Sequence, residues 1–203
     1  SDLISDYEKS NHANSMHSSV IEQLKCNLRL TKAQKEIIIG KILGDGCLVL
    51  NSLGTTVRLQ VEHSISQKEY VDWFYQKISH LVRTPPQVKL QTAHGKQYKK
   101  YWFNTLSVGC LRFYYHQFYG NDGRKKVPKL IHRWMTPRTL AVWFMDDGSI
   151  KSRFHRARII NTHSFTKHDI ERLCTILQEK YQILCIPRKQ KDGTQIMILA
   201  ESA

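Results

Sequence analysis

The chain has 203 residues, 41% of them apolar, with 31 lysines and arginines against 17 acids and a formal net charge of +14. Its length and apolar content fit an ordered globule of one domain or two small ones and exclude a disordered chain, while the charge points to a polyanionic partner. No run is long and apolar enough to span a membrane, and the five cysteines (Cys26, Cys47, Cys110, Cys174, Cys185) include no Cys-x-x-Cys pair, which leaves neither a zinc site nor a disulfide framework.

Residues 1–20 are polar, rich in Ser, Asn and His, and fit neither a secretory signal nor a transit peptide, so a loosely ordered tail is expected. Val20, Ile21, Leu24 and Leu28 have helical spacing. Thr31 is placed to cap a helix that runs to about Gly44. Ile37, Ile38 and Ile39 leave that helix little polar face, and Gly40 and Gly44, four residues apart, leave room for another backbone to come close. It ends on Asp45-Gly46; an ion pair between Asp45 and Lys41 is the bland reading of the acid, and the repeat further along the chain weighs against it because the matching position 143 is Trp, not Lys.

Strands follow, with Val57, Leu59 and Val61 alternating with Arg58, Gln60 and Glu62. A helix is expected from Ser66 to about Leu81, then a break at Pro85-Pro86. The next hairpin alternates Val88 and Leu90 with Lys89 and Gln91, and returns from Lys99 to Ser107. A helix over 109–119 completes the unit. The segment from Gly120 to Lys129 is a basic turn carrying Arg124, Lys125 and Lys126 before Val127-Pro128.

Pro137 then opens a second apolar helix, Leu140-Ala141-Val142-Trp143-Phe144-Met145, that also ends on Asp-Gly, at Asp146-Asp147-Gly148. Strands over 149–153 and 157–163, a helix over 167–181, and strands over 183–190 and 194–199 repeat the first pattern. The likeness extends to residues: Val61-Glu62-His63-Ser64 is followed about one hundred residues later by Asn161-Thr162-His163-Ser164, each before a capped helix. The chain reads as a duplication, with a tail at 1–20, one unit over 21–136 and a second over 137–203 that lacks a counterpart of helix 109–119. The fold class is α+β: two αββαββα units with antiparallel, saddle-like sheets, pseudo-two-fold symmetry and the acid-tipped helices packed at the interface. Asp45 and Asp147 are then equivalent residues. His63 and His163 are expected to bond locally at strand ends.

On the motif pair, the repeat and Lys125-Lys126-Val127-Pro128, the chain resembles the LAGLIDADG homing endonucleases of the single-chain, double-motif kind. The resemblance implies Mg²⁺- or Mn²⁺-dependent double-strand cleavage of a long DNA site by a monomer. It assigns Asp45 and Asp147 as catalytic metal ligands, with the backbone carbonyls of Gly44 and Asp146 assisting, and a catalytic lysine at Lys126 with Lys125 as its rival. The polar strand faces are the candidate DNA-reading surface, since a two-stranded ribbon fits the major groove. Arg58, Gln60, Lys89, Gln91, Lys99 and Lys100 belong to one half-site, and Lys151, Arg153, Arg156, Arg158, Arg188 and Gln190 to the other, with Lys125 a phosphate contact. An intron-RNA maturase and a cleavage-deficient DNA-binding protein are the alternatives on the same scaffold. The resemblance favours a mitochondrion or chloroplast over a prokaryotic cytoplasm as the setting.

Overall fold

Thr31 opens helix α1 (Lys32–Leu43): its hydroxyl accepts a hydrogen bond from Gln34 N while the Gln34 side chain accepts one from Thr31 N, so two otherwise unpaired backbone donors are met. The structure of the protein, a computed structural model, describes residues 28–152 and 155–203; the proposed tail at 1–20 lies outside them. From Glu36 to Leu43 every residue of α1 is buried, as the isoleucine run requires.

Strands β1 (Cys47–Leu50) and β2 (Val57–Ser64) follow, then helix α2 (Lys68–Ile78), strands β3 (Gln87–Ala93) and β4 (Lys96–Asn104), and helix α3 (Arg112–Phe118). The single helix expected from Ser66 to Leu81 is α2 with a 3-10 turn at each end; Ser64 caps the first turn by accepting from Ser66 N, ahead of the α-helix itself. A short helix α4 (Ile131–Trp134) leads to α5 (Pro137–Asp147), where the Thr136 hydroxyl accepts from Thr139 N and Pro137 occupies the first turn, a place where its missing N–H costs nothing. Then come β5 (Gly148–Ser152), β6 (His155–Ile160), α6 (Lys167–Tyr181) capped by Thr166, β7 (Cys185–Gln190) and β8 (Gly193–Ile198). A 3-10 turn, Ala200–Ser202, follows β8 just as Gly109–Leu111 follows β4 and leads into α3.

The strands form two four-stranded antiparallel sheets, ordered β1-β2-β4-β3 and β5-β6-β8-β7. The identical order is the duplication made visible. In the first half Leu59, Val61 and Phe103 turn to the core that holds Val71, Phe74 and Ile78 of α2; in the second, Ile160, Ile196 and Ile198 meet Ile170, Leu173 and Leu177 of α6. Each such side chain removed from water contributes about 1.5–3 kcal/mol before entropy is counted.

The halves meet where α1 lies along α5. A Cβ at Gly40 would stand 2.5 Å from the Thr139 carbonyl oxygen, and one at Gly44 would stand 2.5 Å from Asp146 Cβ. Near the helix starts, Thr139 Oγ1 donates to Glu36 O at 3.1 Å and Arg138 pairs with Glu36 at 2.5 Å. Contacts therefore run in the same order along both helices. The two run in the same direction, and their acid-bearing ends emerge together.

Candidate active site at the helix seam

At those ends the side chain of Asp146, fully buried, crosses from one half to the other. Its Oδ2 accepts from the backbone N–H of Asp45 at 3.0 Å, and its Oδ1 accepts from Lys41 Nζ at 2.7 Å and from Tyr70 Oη at 2.8 Å. His63 Nε2 lies 3.5 Å from the same Oδ1 and against Lys41 Nζ, while His63 Nδ1 is 2.8 Å from Gln67 Oε1 and 3.8 Å from Asp45 Oδ2. Burial alone would raise the Asp146 pKa, but the donors His63, Lys41 and Tyr70 and the charge of Lys41 hold it below the ordinary carboxylate value. For Lys41, itself fully buried, loss of water outweighs the attraction of Asp146 and lowers its pKa. For Lys41, an ion pair with Asp45, four residues on, is the reading that the duplication weighs against. The structure gives it Asp146 instead.

The two motif acids have different surroundings. The Asp45 side chain is 52% exposed. Asp147 is more enclosed, and burial, followed by the charges of Asp45 and Asp146, pushes its pKa up to about 7. Positive charge comes from Lys125, whose Nζ donates to the Gly44 carbonyl at 2.7 Å and whose pKa is lowered, chiefly by burial. Lys126 is exposed. The choice between the two is set by a bridge of Lys125 to Tyr119 that turns residues 125 and 127 inward and residue 126 outward; Val127 is 4% exposed and its N–H reaches Asp169 Oδ2 at 3.3 Å. Of the two, Lys125 is the one whose side chain lies at the seam, and Lys126 is on the surface. Among the described residues no three His, Cys, Asp or Glu side chains are grouped to hold a metal. The donors at the seam are two carboxylates and backbone carbonyls, an all-oxygen set of the size that Mg²⁺ takes when waters and phosphate supply the rest. The surplus of negative charge around Asp147 fits a cation there, although Lys125 now engages the Gly44 carbonyl.

Strand pairing fixes which polar residues share a face. On the first sheet Gln60 opposes Asn104, Glu62 opposes Trp102, Gln87 opposes Trp102, Lys89 opposes Lys100 and Gln91 opposes Tyr98. With Arg58, these form one continuous outer face. Lys89 pairs with Glu62 at 2.5 Å and lies over the Trp102 ring at 5.2 Å. Arg58 and Arg83 line a cleft of about 620 Å³ with Asn51, Gln87, Trp102 and Asn104. Lys99 opposes Leu90 and so falls on the other face from its neighbour Lys100. On the second sheet Arg188 opposes Gln195, which bonds Asn161 at 2.8 Å, and Gln190 opposes Gly193, giving the matching outer face. Arg158 instead opposes Ile198 and lies two residues from buried Ile160, on the sheet face opposite to that of Arg188, while Arg156 is exposed. Arg153 lies outside the described residues, as does the side chain of Lys151 in β5.

The description "LAGLIDADG DNA endonuclease family" matches residues 35–203. The chain belongs to that family. A LAGLIDADG relative, DNA endonuclease I-ChuI of Chlamydomonas applanata, is 31% identical over 166 residues, covering 77% of this chain and 76% of that one. The homing endonuclease I-WcaI, solved bound to its DNA recognition sequence, superposes with a TM-score of 0.87 at 25% identity, over 94% of this chain and 86% of that one. The cytochrome b mRNA maturase bI2 of Saccharomyces cerevisiae is 28% identical over 80% of this chain, which spans 40% of the maturase. Within this LAGLIDADG fold, Lys41, His63 and Tyr70 are site residues that sequence reasoning missed. The one available signal was a lysine inside an otherwise apolar helix, which demands a buried partner.

Proposed function

We propose that this chain is a site-specific DNA endonuclease that cuts both strands of a long target by metal-dependent phosphodiester hydrolysis, with Asp45 and Asp147 as its paired acids. The observation that carries the reading is the seam itself: two like-directed helices, brought close by Gly40 and Gly44, deliver Asp45 and the Asp146-Asp147 pair to one place, where Asp146 Oδ2 accepts from the Asp45 N–H at 3.0 Å. A bound Mg²⁺ or Mn²⁺ would stabilise charge on the attacking and leaving oxygens. Asp45 presents its carboxylate to solvent, where a phosphate can approach. Asp147 supplies the second carboxylate from the other half. Lys125 brings an ammonium to the same place to offset negative charge that develops on the phosphate.

Arg58, Gln60, Lys89, Gln91 and Lys100 on the first sheet, and Arg188 and Gln190 on the second, face the DNA in this reading. One chain supplies both halves and acts as a monomer. Among the described residues no helix is long and apolar enough to cross a membrane, and the likeness to a cytochrome b mRNA maturase supports an organellar genome as the target's home.

The test is direct. Duplexes spanning candidate insertion sites are incubated with protein and Mg²⁺. Sequence-specific breaks in both strands are expected, and none with Asp45→Asn or Asp147→Asn. The maturase relative supports a second reading, in which the same scaffold binds intron RNA. Tight binding to folded intron RNA without any DNA break would replace the first reading with the second.

A further inference from the structure

The two acid-tipped helices are not used alike. Where α5 carries Trp143 and Asp146, α1 carries Lys41 and Gly44 at the equivalent places. The Asp146 carboxylate fits across the seam only because position 44 has no side chain: a Cβ there would stand 2.5 Å from both its Cβ and its Oδ2. Once across, it takes the N–H of Asp45 at 3.0 Å and the ammonium of Lys41 at 2.7 Å. The exchange is one-way. The position equivalent to Asp146 in the first half is Gly44, which has no carboxylate to offer Asp147.

We propose that Lys41 and Asp146 form a cross-seam positioning pair for Asp45 alone, so that one of the two motif acids is held by the opposite half and the other is not. Lys41 acts by fixing the Asp146 carboxylate, with Tyr70 and His63 packed on the same oxygen. Asp146 acts by fixing the backbone that carries Asp45. Neither side chain touches the reacting atoms. The pair rests on the reading of Asp45 as a site acid, but its existence as a coupled unit does not.

A double-mutant cycle on the full chain separates the two. Lys41→Met, Asp146→Asn and the double variant are compared by thermal unfolding without metal. Each single change leaves one buried charge without its partner and lowers Tm by about 10 °C. The double change removes both charges and recovers most of that loss. Should a single variant fail to fold, folding of the double variant supports the pair. A double variant as unstable as the two losses added together, or one that does not fold, overturns it. Cleavage of each strand is then followed against Mg²⁺ concentration in the double variant. The half-saturating Mg²⁺ rises roughly tenfold or more for one strand, the range for losing a residue behind a metal ligand, and stays near the wild-type value for the other. An equal change on both strands, or none, rules out selective positioning of Asp45. A wild-type chain that cuts no DNA would sink the nuclease reading while leaving the thermal cycle decisive for the pair.

Discussion

Single residues at the seam carry the sharpest consequences. Asp147 ionises near 3.8 when unfolded and near 7 when folded, the rise coming from burial first and then from Asp45 and Asp146. Between those values the folded protein keeps a proton that the unfolded chain has lost, so stability is full below about pH 4, falls as pH climbs through 7, and stays reduced above it. Asp147→Asn removes that penalty: without metal at pH 8 it should raise stability by on the order of 2 kcal/mol, or about 5 °C in Tm, with little gain at pH 4. Added Mg²⁺ should stabilise the wild type and not the variant. Thermal melts at the two pH values check this, and an equal shift at both would refute it. The lysines make a second contrast. Lys125→Met is expected to slow cleavage about a hundredfold or more, because it removes a half-buried ammonium from the site, while exposed Lys126 should tolerate the same change within a few fold in single-turnover assays. Sequence could narrow this to two adjacent residues and no further, since the choice depends on a bridge to Tyr119 formed in space. Lys41 shows the same limit: its partner lies 105 residues away, beyond the reach of local spacing rules.

Elements were legible where their signals are local. Thr31, Thr136 and Thr166 each cap the helix they precede, and Pro137 sits in a first turn, because caps depend on neighbours within three or four residues. Strand faces were legible only where one face is plainly apolar. The run Arg156-Ala157-Arg158-Ile159-Ile160 has apolar residues on both faces, and a register shift between Ile150 and Ser152 hides which face meets α6. Only the pairing of Arg158 with Ile198 decides it. The seam glycines, in contrast, were readable as a pair, and they define a prediction at this scale. Gly40→Ala places a methyl 2.5 Å from the Thr139 carbonyl and 2.8 Å from Val142 Cβ, so α1 and α5 must separate despite the better helix propensity of alanine. A loss of about 1–3 kcal/mol is expected in denaturant unfolding, along with weaker cleavage. Gly109→Ala, where an added Cβ meets nothing within 4 Å, serves as the control and should leave both within error.

At the scale of the whole molecule, duplication gives a chain of net charge +14 two four-stranded sheets of the same order, each with an outer face. The first sheet's outer face is the better defined, because its hairpin extends beyond the core: Gln91 and Lys96 are exposed, and so are Val88, Leu90 and Lys99 on its opposite side. Adjacent residues on that hairpin point apart, so Lys99 and Lys100 offer a test with chemistry held constant. If the outer face tracks a duplex, Lys100→Ala removes a phosphate contact and lowers the steepness of log K against log salt by about one, with affinity reduced for any sequence. Lys99→Ala, on the face away from the groove, should leave the slope close to that of the wild type. The second sheet supplies the same contrast between Arg188, paired with Gln195 on the outer face, and Arg158, which opposes Ile198 on the other face. Binding isotherms for the four variants over a series of salt concentrations would decide it. Equal slopes for Lys99→Ala and Lys100→Ala would mean that the duplex does not lie along this face, and the assignment of both sheets would have to be redrawn.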